Sequence, residues 1–257
     1  MNTSIRTINL GGRLFDLTQP LVMEIVNVTP DSFYEHGIKD RLTGDIIDVG
    51  GCSTRPGSEP VSADEEWLRL DRGLSAIRRS YPDVLISVDT FRPQIARRCV
   101  EQYGVSMIND VSGGNAAMYR TVAELRVPYV LTFNQKVDDS DDITAAALRF
   151  FADRVQQLCD LGQHDIVLDP GFGFNKSMEQ NYRLLHQMEH LQLLNRPVLV
   201  GISRKSMIYR LLGCTPDGAL NGTTVLNTMA LAKGANILRV HDVKEAKETV
   251  TLYTTIK

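Results

Sequence analysis

Cysteine is scarce in this sequence: four residues in 257, Cys52, Cys99, Cys159 and Cys214, with no CxxC pair and no metal-type spacing. A chain of this length with so few cysteines does not rest on a disulfide framework, and the expected setting is the reducing cytoplasm. Charge of one sign is also missing. Twenty-eight Lys and Arg face 31 Asp and Glu, a net charge of −3, which leaves no basic field for nucleic acid as the main partner. A small anionic ligand remains possible, since it needs only a local cluster of cations. No apolar run approaches the roughly 20 residues of a membrane helix, and the first residues, MNTSIRTINLGGRLFDL, lack the apolar core of a signal peptide. Membrane partners are therefore not expected. Neither a GxxxxGK[ST] loop nor a GxGxxG fingerprint occurs, which excludes the common nucleotide-binding loops.

What is present is a rhythm. Short β-branched runs recur at 21–28, 45–49, 84–89, 105–109, 128–133, 165–169, 197–202 and 235–240. They are continuously apolar, as in strands of a parallel sheet buried on both faces. Amphipathic stretches lie between them, at 62–80 (Trp67, Leu70, Leu74 and Ile77 on one face), 143–161, 178–194 and 242–256. Eight strands alternating with helices predict an α/β fold of the (β/α)8 TIM barrel type, as one domain over residues 1–257. The segment INLGGRLFDL reads as a β-hairpin turning at Gly11-Gly12 and placed to plug the barrel's N-terminal mouth. One connection breaks the rhythm. Residues 29–44 leave little room for a covering helix, so the first helix is expected to be shortened or missing.

Polar residues fall at the ends of the runs: Asn27, Asp48, Asp89, Asn109, Asp169, Ser203, Arg239 and His241. In a barrel these ends converge on the C-terminal face, where active sites of this fold sit. For any one residue, capping of the following helix is an equal alternative. As a set they have a chemical logic. Carboxylates and amides such as Asp89, Asn109 and Asp169 suit the donor and acceptor edge of a flat heterocycle. The cations Arg55, Lys205 and Arg239, with His241, suit a diphosphate, and Arg204 and Lys205 follow the seventh run on the usual phosphate-facing rim. His36, His164, His186 and His190 share no metal spacing and read as surface or loop residues.

Seven segments, in order, carry a resemblance: NVTPDSF (27–33), DIIDVGGCSTRPGSEPVS (45–62), ISVDT (86–90), INDVSGG (108–114), LDPGFGFNKS (168–177), GISRKSMI (201–208) and ILRVHDV (237–243). Together they resemble the signature segments of dihydropteroate synthases, the sulfonamide target class of folate biosynthesis. That family condenses 6-hydroxymethyl-7,8-dihydropterin diphosphate with p-aminobenzoate, using Mg²⁺, and releases pyrophosphate. The resemblance implies that Asn27 contacts the metal and the diphosphate. Asp31 and Phe33 come from a first mobile loop, and Thr54 and Arg55 from a second. Asp89, Asn109 and Asp169 grip the pterin, with Phe174 and Gly201 shaping the pocket. Lys205 bridges pterin and aminobenzoate, Ser203 touches the latter's carboxylate region, and Arg239 and His241 bind the diphosphate. Asp31, Arg55 and Lys205 are the expected catalytic residues, and a homodimer through the late helices is implied.

The sequence also departs from the family pattern. Glu24 stands where a glycine is usual, Cys52 replaces the Glu of ESTRPG, and Asn175 replaces a glycine before Lys176. The fifth run ends Leu131-Thr-Phe-Asn-Gln in place of a Met-His-Met-like segment. Two other readings stay open on sequence alone: a methyltetrahydrofolate:corrinoid methyltransferase on the same barrel, which needs neither the STRPG nor the SRKS segment, and a non-catalytic pterin-binding paralogue.

Overall fold

Gly11 and Gly12 both take positive φ, +58° and +80°, and form the two-residue turn that joins β1 (Thr7–Leu10) to β2 (Arg13–Asp16). The expected hairpin is there, antiparallel, with Leu10 opposite Arg13. The computed structural model describes residues 7–28, 42–52 and 61–256. Eight further strands follow: β3 (Leu21–Asn27), β4 (Ile46–Gly50), β5 (Ile86–Asp89), β6 (Met107–Asp110), β7 (Tyr129–Thr132), β8 (Ile166–Asp169), β9 (Leu199–Val200) and β10 (Ile237–Val240). Every expected run overlaps one of them, β4 and β6 each running one residue beyond it, though β9 keeps only two residues.

All eight pair in parallel, in the order β8-β7-β6-β5-β4-β3-β10-β9. An isolated bridge between Leu168 and Val198, with the Leu168 N–H donating to Pro197 O at 2.8 Å, brings β8 beside β9. The sheet thus becomes a nearly closed barrel. Helices fill the crossovers: α1 (Ala63–Ser80), α2 (Pro93–Tyr103), α3 (Ala116–Leu125), α4 (Ile143–Asp160), α5 (Met178–His186), α6 (Ser206–Leu212), α7 (Leu220–Ala232) and α8 (Val243–Ile256). Their starts follow local chemistry. Ser62 accepts the Glu65 N–H at the head of α1, Asp142 caps α4, and Ser177 and Gln180 form a reciprocal capping box on α5.

The stretch 178–194 is not one helix as expected. It breaks at Gln187, whose Oε1 accepts from Thr144 Oγ1 at 2.8 Å, and continues as a 3₁₀ turn over Met188–Leu194. The expectation of a shortened or missing first helix concerns residues 29–41, which lie outside the described residues.

Strand alternation divides the core in two. Outward side chains such as Val22, Ile47, Val88, Leu131 and Leu168 pack under the helices. Inward side chains Met23, Ile46, Met107, Val130, Val167, Leu199 and Ile237 pack with one another and with Ile8, Leu10 and Leu17 of the hairpin segment. The hairpin therefore closes the bottom of the barrel with apolar surface, each such residue contributing roughly 1.5–3 kcal/mol on burial. The opposite end is left for polar groups.

Candidate active site

On each barrel strand the next inward position, two residues on, lies toward the C-terminal end: Ile25, Asp48, Ser87, Asn109, Thr132, Asp169, Gly201 and Arg239. The polar ones all rest on the apolar plug. Asp48 is completely buried and Asn109 and Asp169 nearly so. Arg239 binds them together. Its Nε donates to Asp48 Oδ2 at 2.7 Å and its Nη2 to Asp89 Oδ2 at 3.0 Å, while Asn109 Nδ2 donates to the same Asp48 oxygen at 3.0 Å. Asp169 Oδ1 accepts the Gly171 N–H at 2.8 Å. None of these residues caps a helix among those described, where the side-chain caps are Ser62, Asn115, Asp142 and Ser177. The capping alternative is thereby removed for Asp48, Asp89, Asn109 and Asp169.

Burial sets the charge states. It pushes the Asp89 carboxyl up to about 7, against the opposing pull of Arg239, and it raises Asp169 against Lys205. Lys205 is drawn the other way. Its desolvated ammonium falls to about 8, with Asp169 opposing, and it donates to the Phe172 carbonyl while standing 4.5 Å from the Phe174 ring centre. A β-carbon added at Gly201 would lie 3.8 Å from Arg239 Cβ and 4.0 Å from Lys205 Nζ, so this glycine keeps open the space between the two cations. Ser203 Oγ accepts the His241 N–H at 3.2 Å, tying the end of β10 to the turn after β9. Arg204 faces elsewhere: Asp242 takes its guanidinium at 3.0 and 2.6 Å and Asp217 at 3.0 Å, so it is not the rim cation expected beside Lys205.

Lys176 was missed as a site residue and is built into the same rim. Its Nζ donates to three carbonyls, Phe133 at 2.7 Å, Gly171 at 2.9 Å and Phe174 at 3.1 Å, and lies 4.6 Å from the Phe133 ring centre. Burial lowers it to about 7, opposed by Asp169. One cation thus gathers the loops that follow β7 and β8. Asp48 stood in the strand-end set without a role, whereas Ser87 and Thr132 were missed as site residues, although inward parity counted back from Asp89 gives Ser87, and from Asp169 across the β7–β8 pairing gives Thr132. Asn27, Asp89, Asn109, Asp169, Phe174, Gly201, Ser203, Lys205, Arg239 and His241 all lie at the C-terminal end of the barrel, on strands or the turns that follow them. Asp31, Phe33, Thr54 and Arg55 lie outside the described residues.

This geometry is matched by known proteins. The profile of the family described as pterin binding enzyme matches residues 23–241. Dihydropteroate synthase of Streptococcus pyogenes is 41% identical over 253 residues, covering 90% of this chain and 93% of the relative. That of Escherichia coli (strain K12) is 37% identical over 262 residues, covering 93% and 92%. The chain belongs to the dihydropteroate synthases. A Xanthomonas albilineans dihydropteroate synthase in complex with 7,8-dihydropteroate superposes with a TM-score of 0.85 at 32% identity, covering 98% of each chain. A Yersinia pestis dihydropteroate synthase with a sulfonamide drug gives 0.88 at 33% identity, covering 97% of this chain and 98% of that one.

Within this family the chain's departures take on local meaning. Glu24 faces outward from β3, is buried, and its Oε2 accepts the N–H groups of Thr43 at 3.0 Å and Gly44 at 2.9 Å, just before β4. The departure at Glu24 and the short connection are therefore in contact. Asn175, in the left-handed region at φ +47°, donates to Asn134 Oδ1 at 2.8 Å, and Asn134 donates to Val111 O at 2.8 Å. These two departures touch as well. Cys52 lies 3.7 Å from Arg92 Nη1, and burial pushes its thiol up, so it is not an activated nucleophile.

Proposed function

We propose that this chain joins 6-hydroxymethyl-7,8-dihydropterin diphosphate to p-aminobenzoate, giving 7,8-dihydropteroate and pyrophosphate, as one pterin-binding unit spanning residues 1–257. The observation that carries the reading is the stack itself. Buried carboxylates and an amide lie on an apolar plug, with Arg239 among them and Lys205 above at the open end of the barrel. A carboxylate at Asp169 accepts two parallel hydrogen bonds from the 2-amino-pyrimidinone edge, while Asp89 and Asn109 fix the rest of the ring. Phe174 and the bare backbone at Gly201 give the flat ring its walls.

The diphosphate then lies toward Arg239 and His241. The bond between the pterin methylene and its diphosphate oxygen breaks, and its electron pair leaves with pyrophosphate. The electron-rich ring bears the transient positive charge, which nearby carboxylates favour. The arylamine nitrogen forms the new C–N bond, and the proton it loses passes to the departing pyrophosphate. Lys205 and Ser203 hold the aminobenzoate, and Asp31, Phe33, Thr54 and Arg55 act from the two loops that close over it.

Magnesium fits this end of the barrel. A β-carbon added at Gly50 would lie 3.5 Å from Asn27 Oδ1, so the glycine leaves space beside a hard amide oxygen. Mg²⁺ takes one or two protein oxygens plus substrate phosphates, so no larger cluster is required. Among the described residues no group of three His, Cys, Asp or Glu is placed to hold a metal. With Asn27 and the diphosphate as ligands, the ion would neutralise charge developing on the leaving group.

Two wider readings belong with this. Exposed Leu211, Leu212, Val225, Met229, Leu252 and Ile256 on α6, α7 and α8 support a homodimer through the late helices. Four free cysteines support work in a reducing cytoplasm, and none of the described helices is long and apolar enough to cross a membrane. Titration calorimetry tests the site. Pterin diphosphate with Mg²⁺ should bind the bare chain, and p-aminobenzoate alone should give no binding heat. Tight arylamine binding to the bare chain would contradict the arrangement.

A further inference from the structure

Four buried polar atoms at the inward positions above the plug have no hydrogen-bond partner among the described residues: Asp48 Oδ1, Ser87 Oγ, Asn109 Oδ1 and Thr132 Oγ1. Folded proteins rarely leave such atoms unanswered, and each one calls for a partner: a bound water, an ion or a ligand. Asp48 and Asn109 already bond through their other side-chain atoms. Ser87 and Thr132 each carry a single polar side-chain atom, and it is idle.

Thr132 has the more telling position. Its side chain is fully buried, points inward by the parity that puts Val130 in the plug, and pairs in register with Asp169. Val130 and Leu131 before it on β7 are apolar, and Phe133 packs outward against Phe150 and Phe151. Its Cγ2 methyl already lies under the loop after β8, 3.1 Å from where a Gly171 β-carbon would stand. A valine would fill the same volume, so packing does not call for the hydroxyl. The same stretch is where the sequence departs from the Met-His-Met-like family segment.

We propose that Thr132 is a specificity-determining residue of the heterocycle site, its hydroxyl hydrogen-bonding the pyrimidine edge that Asp169 grips. This deepens the pterin reading and rests on it. An ionised Asp169 only accepts, so it takes the donors of that edge. The same edge carries acceptors beside those donors, and they need an O–H or N–H. An Asn109 amide proton is committed to Asp48. The Thr132 O–H is an unengaged donor on the strand paired with Asp169 and rotates to suit the ring, whereas the idle Ser87 O–H lies on β5.

The test uses Thr132→Val and Thr132→Ser in the full chain, titrated calorimetrically with pterin diphosphate and Mg²⁺ and melted without ligand. Thr132→Val should bind the pterin about three- to tenfold more weakly, the loss of one hydrogen bond, while Thr132→Ser stays within about twofold of wild type. Ligand-free Thr132→Val should melt no lower than wild type, because it sheds an unpartnered hydroxyl. Wild-type affinity in Thr132→Val, or a lower melting point, would overturn the assignment: the first means the ligand ignores the hydroxyl, the second that the free protein already uses it. If the wild-type chain does not bind pterin diphosphate, the reading of the whole site falls and this inference with it. If wild type binds and Thr132→Val matches it, only the inference falls.

Discussion

Lys205 shows how much a single side chain depends on where it is folded. Its ordinary pKa of 10.5 falls to about 8 because burial disfavours the ammonium more than Asp169 restores it. Above about 8 the folded chain sheds a proton that the unfolded chain keeps until near 10.5. Stability therefore gains from this residue as pH rises through that window. Activity should move the opposite way if the charged form holds substrate. The value of kcat/KM, followed by pyrophosphate release, should fall as pH passes about 8, and Lys205→Arg should be slower yet lack that alkaline limb. An unchanged limb in Lys205→Arg would assign it to another group. At this scale the sequence was informative in part. Asp89, Asn109 and Asp169 stood out because a charge or amide ending an apolar strand is conspicuous. Ser87 and Thr132 did not, since small hydroxyl residues are common in strands, and only parity within a closed barrel marks them as inward. Lys176 was hidden too, because its partners are backbone carbonyls, which no sequence pattern displays.

The elements were legible because strands buried on both faces must be continuously apolar, and those runs are visible from Leu21 to Val240. Boundaries were less so. The break at Gln187 coincides with a contact to Thr144 on another helix. Glu24 is a clearer case of element-level physics. A carboxylate on the outer face of a central strand contradicts the strand's pattern, and only the fold shows it holding the N–H groups of Thr43 and Gly44. Gly44 allows the approach, since a β-carbon there would stand 2.6 Å from Glu24 Cβ. Glu24→Ala would take the shared acceptor from two part-buried hydrogen bonds, at a cost of about 1–3 kcal/mol in all. For a chain of this size the melting midpoint should fall by about 2–10 °C, with little change in pterin affinity per folded molecule. A melting point equal to wild type would show that the connection before β4 does not lean on Glu24.

On the scale of the whole molecule the two ends of the barrel divide the labour. One end is sealed by the hairpin's Ile8 and Leu10 and yields a rigid apolar floor. The other presents opposite charges close together, with Asp48, Asp89 and Asp169 set against Arg239 and Lys205. A net charge of −3 gives no hint of this, because the balance is local. The measurement that bears most directly on the account is pyrophosphate release on mixing the chain with Mg²⁺, pterin diphosphate and p-aminobenzoate. Release should be catalytic, should require both substrates, and should drop on the order of a hundredfold in Lys205→Met, comparable to removing one preorganised electrostatic contact. Pyrophosphate release no faster than without the chain, from a folded preparation that binds the pterin, would mean that this barrel holds the heterocycle without performing the condensation.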